Sequence, residues 1–338
     1  MQNAGQFLVQ LSAFFDWFNT PGIVAVGVML FTLFKLRANY LLRLSTDITP
    51  EKFNIGLGIG SALSIVSTLL LTTTSLMFLE NVVEMTGVGL NQDRAHAAGI
   101  DQTRYPATQP SSVGVMAAKG FGTAAAKNKY GQAVIVVSVL LLVIGAGYAF
   151  TMLNLGFWES FLAMSMGVGL PEELSKAAAG LLVLYMIFDT KSLSEFQFRR
   201  AVLAAFGIAG LGFGAGEALK YFGEYAHEGA NAFAYGLRAV YVVTLHGAWT
   251  LIVGGMLATS LPQDPKLLEN KKIDTCYMLL LASIPTAIAH GLYNTLCSQE
   301  NILLALSWGG LSIFVAFRVI EAFLKENQEE SKPPPLPS

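Results

Sequence analysis

The chain has 338 residues, of which 53% are hydrophobic and only 13% are charged. Soluble domains carry about 25% charged residues, so this composition excludes a globular protein whose whole surface faces water. The net charge of −2 provides no basic excess of the kind that binds nucleic acid, and we expect no nucleic-acid partner.

Long apolar segments recur along the chain, and about 20 apolar helical residues cross a bilayer core. Because backbone groups in lipid must be hydrogen-bonded within the segment, each one is predicted to be a helix. The segments are approximately 21–44, 53–79, 131–153, 156–170, 172–190, 200–222, 233–259, 277–297 and 301–324. Segment 156–170 is short for a full crossing and is also compatible with a tilted or re-entrant half-span. The predicted fold class is all-α, a polytopic transmembrane helical bundle of about 8–9 spans.

Polar segments divide the chain into four parts. Residues 1–85 are predicted to hold an N-terminal amphipathic helix and two transmembrane helices. Segment 86–130, rich in small and polar residues, is predicted to be an extracytoplasmic loop. Residues 131–324 are predicted to form the main transmembrane bundle. Residues 325–338 end in PPPLPS and are predicted to be a disordered cytoplasmic tail.

Lysine and arginine in short loops predict the orientation, because cytoplasmic loops are enriched in both. They occur in the loops at 35–52, 190–200 and 260–276, whereas the connections at 223–232 and 298–300 have none. Nine crossings would place the N-terminus outside and the C-terminus in the cytoplasm. We therefore expect a multi-pass protein of the plasma (inner) membrane.

Ionisable side chains inside a span cost about 2.5–3.5 kcal/mol each on insertion scales, so each one requires an explanation. Glu172 and Glu173 begin segment 172–190, and Lys176 follows within one helical turn of both. An acidic helix start at the membrane interface would also explain this pattern, because the positive end of the helix dipole favours carboxylates.

Four further polar residues lie within later apolar segments. Glu217 follows a run of glycines, where close helix packing would enclose its carboxylate. His246 lies near the middle of its segment, and His290 is followed one turn later by Asn294. Each residue taken alone is also compatible with an interhelical hydrogen bond. The predicted topology, however, places all the polar groups between the membrane centre and the outer face, which favours one buried site.

Two hydrolytic chemistries fit these residues. In the first, Glu217, His246 and His290 bind a divalent metal such as zinc, and one glutamate at the start of segment 172–190 is the general base. In the second, no metal is needed, since a carboxylate activates water directly while histidine and Asn294 stabilise the oxyanion. Both chemistries would hydrolyse a peptide bond inside the bilayer.

Four polar motifs follow one another along the second half of the chain. They are Glu172-Glu173-x-x-Lys176, Phe213-x-x-x-Glu217, His246 with Trp249, and His290-x-x-x-Asn294. In this order they resemble the PrsW family of intramembrane proteases, which is related to CAAX-prenyl endopeptidases and bacteriocin-processing membrane proteases. The resemblance covers about residues 155–324 and implies that 131–324 is a catalytic bundle.

The resemblance also implies the site and its substrate. The implied catalytic residues are Glu172, Glu173, Lys176, Glu217, His246, His290 and Asn294. The implied substrate is a single-pass membrane protein, such as an anti-sigma factor cut from the outer side of the bilayer. The CAAX enzymes carry a histidine where Glu217 stands, which favours the PrsW family over prenyl-protein processing. The expected partners are this membrane protein substrate and the lipid bilayer.

Two other functions use the same residues. In a proton- or cation-coupled transporter or channel, the buried polar groups would line the ion path, but such folds usually carry inverted repeats and we find none. A non-catalytic membrane scaffold of the same fold is the other alternative, although the complete motif set favours catalysis.

Overall fold

A computed structural model of the chain describes residues 48–86, 129–153, 155–227, 232–270 and 272–330. These residues are largely helical and contain no strand, which confirms the predicted all-α class. The predicted amphipathic helix, the predicted span at 21–44 and most of segment 86–130 lie outside the described residues.

The helices are numbered here in chain order. They are α1 (Pro50–Thr86), α2 (Lys129–Thr151), α3 (Phe157–Ala163), α4 (Leu170–Ile187), α5 (Glu195–His227), α6 (Ala232–Leu257), α7 (Pro265–Asn270), α8 (Lys272–Ser298) and α9 (Ile302–Glu330). A π-helical turn, Met164–Gly169, joins α3 to α4. Helix α9 extends to Glu330, into the segment 325–338 that the sequence predicts as a disordered tail.

Six of the described helical segments are long and apolar enough to cross a membrane. They are Pro50–Val83, Gly131–Thr151, Glu195–Leu219, Ala239–Leu257, Ile273–Ser298 and Ile302–Lys325. Helix α4 is apolar apart from Glu172, Glu173 and Lys176 near its start. The protein is therefore a multi-pass membrane protein, and the predicted 8–9 spans are approximately matched.

The prediction of two separate segments at 156–170 and 172–190 is wrong. The helical backbone continues from Phe157 through the π turn to Ile187. Pro171 lies between the two predicted segments, and a proline fits the first turn of a helix because its missing N–H costs nothing there. In the structure Pro171 lies two residues after Gly169, the last residue of the π turn, whose wider hydrogen-bond ring already interrupts the regular α-helical ladder.

This continuous helix also changes the topology argument. If α1, α2 and the continuous helix 157–187 each cross once, the start of α1 and the loop after Ile187 lie on opposite sides. Both carry lysine or arginine, so the loop-charge rule cannot hold for both. The outside location predicted for the N-terminus and for segment 86–130 therefore loses its basis.

The chain forms two compact units. Among the described residues, the first comprises those up to Ile65, those of Leu174–Ser283 and those from Ser307 onward, and the second comprises those of Val66–Glu173 and Ile284–Leu306. Their boundaries fall inside α1, α4, α8 and α9.

In the first unit, α5 and α6 pack with almost no side chain between their backbones. A Cβ atom added at Gly210 would lie 2.5 Å from Oγ1 of Thr250, and one added at Gly214 would lie 2.7 Å from Cα of Val243. Small residues permit this close approach of helices in membranes. This close contact with α6 covers the part of α5 that directly precedes Glu217.

Two connections of the first unit are tied together, which places them on the same side of the membrane. Nζ of Lys191, in the connection from α4 to α5, lies 3.1 Å from Oδ1 of Asp264, in the connection that follows α6. The backbone N–H of Lys266 and the Lys191 ammonium both stabilise the carboxylate and hold the pKa of Asp264 below its usual value. The hydroxyl of Tyr185 donates to the carbonyl of Pro262 at 2.6 Å beside this ion pair.

Candidate active site

The sequence-predicted site residues form two groups, each within one unit. Lys176, His246 and Glu217 lie in the first unit and are called the Lys–His–Glu triad below. Glu172, Glu173 and His290 lie in the second unit and are called the Glu–Glu–His triad. Helix α4 carries members of both, since Lys176 follows Glu173 by one helical turn.

The Lys–His–Glu triad is a chain of two short hydrogen bonds. Nζ of Lys176 lies 2.8 Å from Nδ1 of His246, and Nε2 of His246 lies 2.6 Å from Oε2 of Glu217. Three different helices, α4, α6 and α5, supply the three residues. Lys176 and His246 are fully enclosed, whereas the Glu217 side chain is 20% exposed.

These contacts define the proton positions on His246. An ammonium group has only donors, so Nδ1 of His246 accepts from Lys176. Nε2 then carries the ring proton and donates to the Glu217 carboxylate. Both ring nitrogens of His246 are hydrogen-bonded within the triad. The neutral ring thus links the Lys176 ammonium group to the Glu217 carboxylate, and a buried charge requires such a partner.

Two aromatic rings surround the buried ammonium group. Nζ of Lys176 lies 4.7 Å from the centroid of the Phe213 ring and 5.9 Å from that of Trp249. Both rings also contact His246 edge-on. Aromatic faces stabilise a desolvated cation. Phe213 and Trp249 belong to the sequence motifs, but the sequence assigns no role to either. Each lies within four residues of a triad member on its own helix.

The Glu–Glu–His triad centres on His290 of α8. Nδ1 of His290 lies 3.0 Å from Oε1 of Glu173, and Nε2 lies 3.7 Å from Oε2 of Glu172. The side chains of Glu173 and His290 are 0% and 4% exposed, while that of Glu172 is 13% exposed. The Glu173 carboxylate accepts from Nδ1–H of His290, and Nε2 faces Glu172. A carboxylate fixes the tautomer of a functional histidine in the same way in many enzymes and metal sites.

Asn294 lies one turn after His290 on α8 and is half-buried. Within the described part of the chain, no hydrogen bond joins its side chain to either triad. Its predicted role as an oxyanion donor therefore depends on contacts with substrate.

The second unit contains a pair of ligands suited to a divalent metal. Two ligands of a tetrahedral zinc ion with bonds of about 2.1 Å lie about 3.4 Å apart, close to the 3.7 Å between Nε2 of His290 and Oε2 of Glu172. The predicted ligands Glu217 and His246 are instead hydrogen-bonded at 2.6 Å. A metal ion bound by both would have to replace that hydrogen bond. The Glu172–His290 pair therefore fits a metal ion as it stands.

His246 and His290 lie on helices long and apolar enough to span a bilayer, and each is hydrogen-bonded to a carboxylate. The fold and these contacts define the class of membrane proteins with acid–base groups inside the helical bundle. The chain belongs to the PrsW family of intramembrane metalloproteases, because the model for "PrsW family intramembrane metalloprotease" matches residues 129–323. The protein is therefore a membrane protease, and the resemblance stated from its motifs is confirmed. The matched residues contain both triads. No curated protein and no solved structure matches the chain.

Proposed function

We propose that this protease is an endopeptidase that cleaves single-pass membrane proteins, such as anti-sigma-factor-like proteins, in the outer half of the bilayer. The observation that carries the proposal is the hydrogen bond of 3.0 Å between His290 and the buried carboxylate of Glu173. In the neutral ring, this bond favours the tautomer whose Nε2 carries the lone pair, and Nε2 lies beside a second carboxylate, an arrangement that supports water activation.

Glu172 is the residue that we assign to the attacking water. Its side chain is the more exposed of the adjacent glutamates, and its Oε2 lies 3.7 Å from Nε2 of His290. A water molecule at hydrogen-bond distance of about 2.8 Å can contact both atoms at once. Glu172 then accepts the proton as general base, while Glu173 holds the His290 ring in place.

A divalent metal at this site would be held by Glu172 and His290. It would supply the Lewis acidity that makes a peptide carbonyl reactive and water acidic near neutral pH. The donor set of one carboxylate oxygen and one imidazole nitrogen suits zinc. In this chemistry Glu173 remains the group that orients His290.

The Lys–His–Glu triad is assigned to proton delivery. Glu217 is its one partly exposed member, and its carboxylate is held by the His246 ring, which Lys176 holds in turn. Hydrolysis of a peptide bond requires a proton on the leaving amine, and Glu217 is placed at the accessible end of the hydrogen-bond chain. We assign Asn294 to the oxyanion, because its amide N–H groups are donors.

Distances along the helices support an outer location. The connections that follow α4 and α6 carry Lys191 and Lys266, with Arg199 and Arg200 in the first turns of α5, and they are expected to face the cytoplasm. At 1.5 Å per residue, Glu173 is about 21 Å from the end of α4 at Ile187, and His246 is about 16 Å from the end of α6 at Leu257. Both depths reach or pass the middle of a hydrocarbon core of about 30 Å.

The test is cleavage of tagged single-pass reporters by purified protein in proteoliposomes. We expect wild-type protein to release the outer domain of a reporter, and Glu217→Gln to lose this activity while remaining folded. Glu159→Gln is the matched control, since Glu159 is an exposed glutamate of α3. Full activity of both Glu217→Gln and Glu173→Gln would contradict the site assignment.

A further inference from the structure

The helix that carries Glu172 and Glu173 contains an unusual turn just before them. Residues Met164–Gly169 are π-helical, and the N–H of Leu170 donates to the carbonyl of Ser165, five residues earlier. A π turn contains one residue more than an α turn. At 3.6 residues per turn, one extra residue rotates every later side chain by about 100° about the helix axis. The π turn therefore determines which way Glu172 and Glu173 face.

The π turn is in direct backbone contact with α8, the helix of His290. A Cβ atom added at Gly291 would lie 2.5 Å from the backbone nitrogen of Ser165, and it would also overlap the Ser165 Cα. One added at Gly169 would overlap the carbonyl oxygen of Ala287 and lie 3.2 Å from the carbonyl carbon. Real Cβ atoms essentially never approach within 3.0 Å, so only glycine fits at these two positions.

The opposite side of the π turn is held in the same way by α2. A Cβ atom added at Gly147 would lie 2.6 Å from the backbone nitrogen of Gly167. Gly167 and Gly169 are both buried. The π turn is thus enclosed between two helices through backbone contacts, which leave no flexible side chain to absorb a displacement.

The backbone contacts at Gly169 and Gly291 lie close to both partners of the Glu173–His290 hydrogen bond. Gly169 precedes Glu173 by four residues in the same helical run, and Gly291 directly follows His290. The contact therefore lies within about one turn, or roughly 5 Å, of both partners of the 3.0 Å hydrogen bond. A shift of the two backbones by an ångström would be carried directly to that bond.

We propose that Gly169 and Gly291 are positioning residues, which together with the π turn set the rotation and the separation at which Glu173 meets His290. They do not touch substrate and act only through the two triad members. The catalytic meaning of this inference rests on the function proposed above, but the geometry can be tested without any substrate.

The probe is the His290 ring itself. The chain contains only four histidines, so protein labelled with ¹⁵N in histidine gives few ring signals in detergent, and a His290→Gln variant identifies those of His290. In the wild type we expect Nδ1 of His290 to be protonated and hydrogen-bonded, and Nε2 to be unprotonated. Gly169→Ala and Gly291→Ala should each shift the His290 signals away from this pattern.

The chain offers matched controls. A Cβ atom added at Gly58 of α1 or at Gly310 of α9 would meet nothing within 4 Å. Gly58→Ala and Gly310→Ala make the same chemical change in a helix without a clash, and we expect both to leave the His290 signals unchanged.

The outcomes separate clearly. Altered His290 signals in the two alanine variants, with unchanged signals in both controls, would support the proposal. Unchanged His290 signals in folded Gly169→Ala and Gly291→Ala protein would overturn it. Failure of both alanine variants to fold would also overturn it, since the contact would then serve folding as a whole. Absence of cleavage in the reporter assay would count against the proposed function and leave this result standing.

Discussion

Nδ1 of His290 and Oε1 of Glu173 lie 3.0 Å apart, although 117 residues separate them in the sequence. Both side chains are almost completely buried. A buried carboxylate that loses its partner keeps the full cost of its desolvation. The pair therefore contributes to stability as well as to the geometry of the site, and these two contributions can be measured separately.

The adjacent glutamates should respond differently to replacement by glutamine. Glu173→Gln should lower both the melting temperature and kcat, because a neutral amide oxygen is a weaker acceptor than the buried carboxylate and holds the His290 ring less firmly. Glu172→Gln should lower kcat by about 10²–10⁴-fold, the usual contribution of a general base, with little effect on the melting temperature. Thermal unfolding in detergent and reporter cleavage measure the two effects. A larger loss of stability in Glu172→Gln would reverse the assigned roles.

Lys176 and Glu217 should be energetically coupled although they do not contact each other in the triad. Each bonds a different nitrogen of His246. The proton position on one nitrogen determines whether the other donates or accepts, so removal of one residue alters the hydrogen bond of the other. A double-mutant cycle with Lys176→Met and Glu217→Gln should give a coupling of at least about 0.5 kcal/mol in the free energy of unfolding.

The control cycle pairs Lys176→Met with Glu195→Gln. Glu195 is an exposed residue of α5 that pairs with Arg199, and this cycle should be additive. Additivity in the Glu217 cycle as well would show that the hydrogen-bond chain does not act as a unit.

Elemental analysis should identify the metal-holding residues. We expect near-stoichiometric zinc or another divalent metal in the wild type, lost in His290→Ala and in Glu172→Gln but retained in Glu217→Gln. The physical reason is the separation of 3.7 Å between the Glu172 and His290 donor atoms, against a hydrogen bond of 2.6 Å between Glu217 and His246.

The alternative outcomes are equally informative. If the Glu172→Gln protein keeps the metal while the Glu217→Gln and His246→Ala proteins lose it, the ligand set predicted from the sequence is favoured. That set is Glu217, His246 and His290. Cleavage by wild-type protein free of metal would establish hydrolysis driven by Glu172 alone.

Cysteine labelling should establish the sidedness of α8. In a background in which Cys276 and Cys297 are replaced by serine, Lys266→Cys should react with a membrane-impermeant maleimide only after cell lysis. Gln299→Cys, beyond the other end of α8, should react in intact cells. Both positions are exposed. The reverse pattern would place the two triads in the cytoplasmic half of the bilayer and contradict cleavage from the outer side.

The residues of the site could be predicted from the sequence because lipid makes each of them expensive. An ionisable group within an apolar segment needs a partner, and this alone distinguished Glu217, His246 and His290. Their pairing could not be predicted in the same way. Spacing along a helix shows which side chains share a face, but not that Lys176 bonds His246 or that Glu173 bonds His290.

The division into segments 156–170 and 172–190 is wrong for a related reason. A proline between two apolar segments usually begins a helix, and nothing in the periodicity of a short segment reveals the extra residue of a π turn. The turn exists where Gly167 and Gly169 allow backbones of α2 and α8 to approach from two sides. The packing of α2 and α8 against these glycines therefore stabilises the π turn, and this packing cannot be inferred from the local sequence.

The sequence by itself determined the membrane-spanning class and singled out the candidate site residues, because hydropathy and charge in lipid are local properties of the chain. The order of its motifs indicated the family, which the family match confirms. The tertiary structure decided which histidine nitrogen meets which carboxylate, that 157–187 is one helix, and that a Glu172–His290 pair is spaced for a metal ion. These depend on distances between helices, which are set by close contacts of glycine backbones and by hydrogen bonds between residues far apart in the chain.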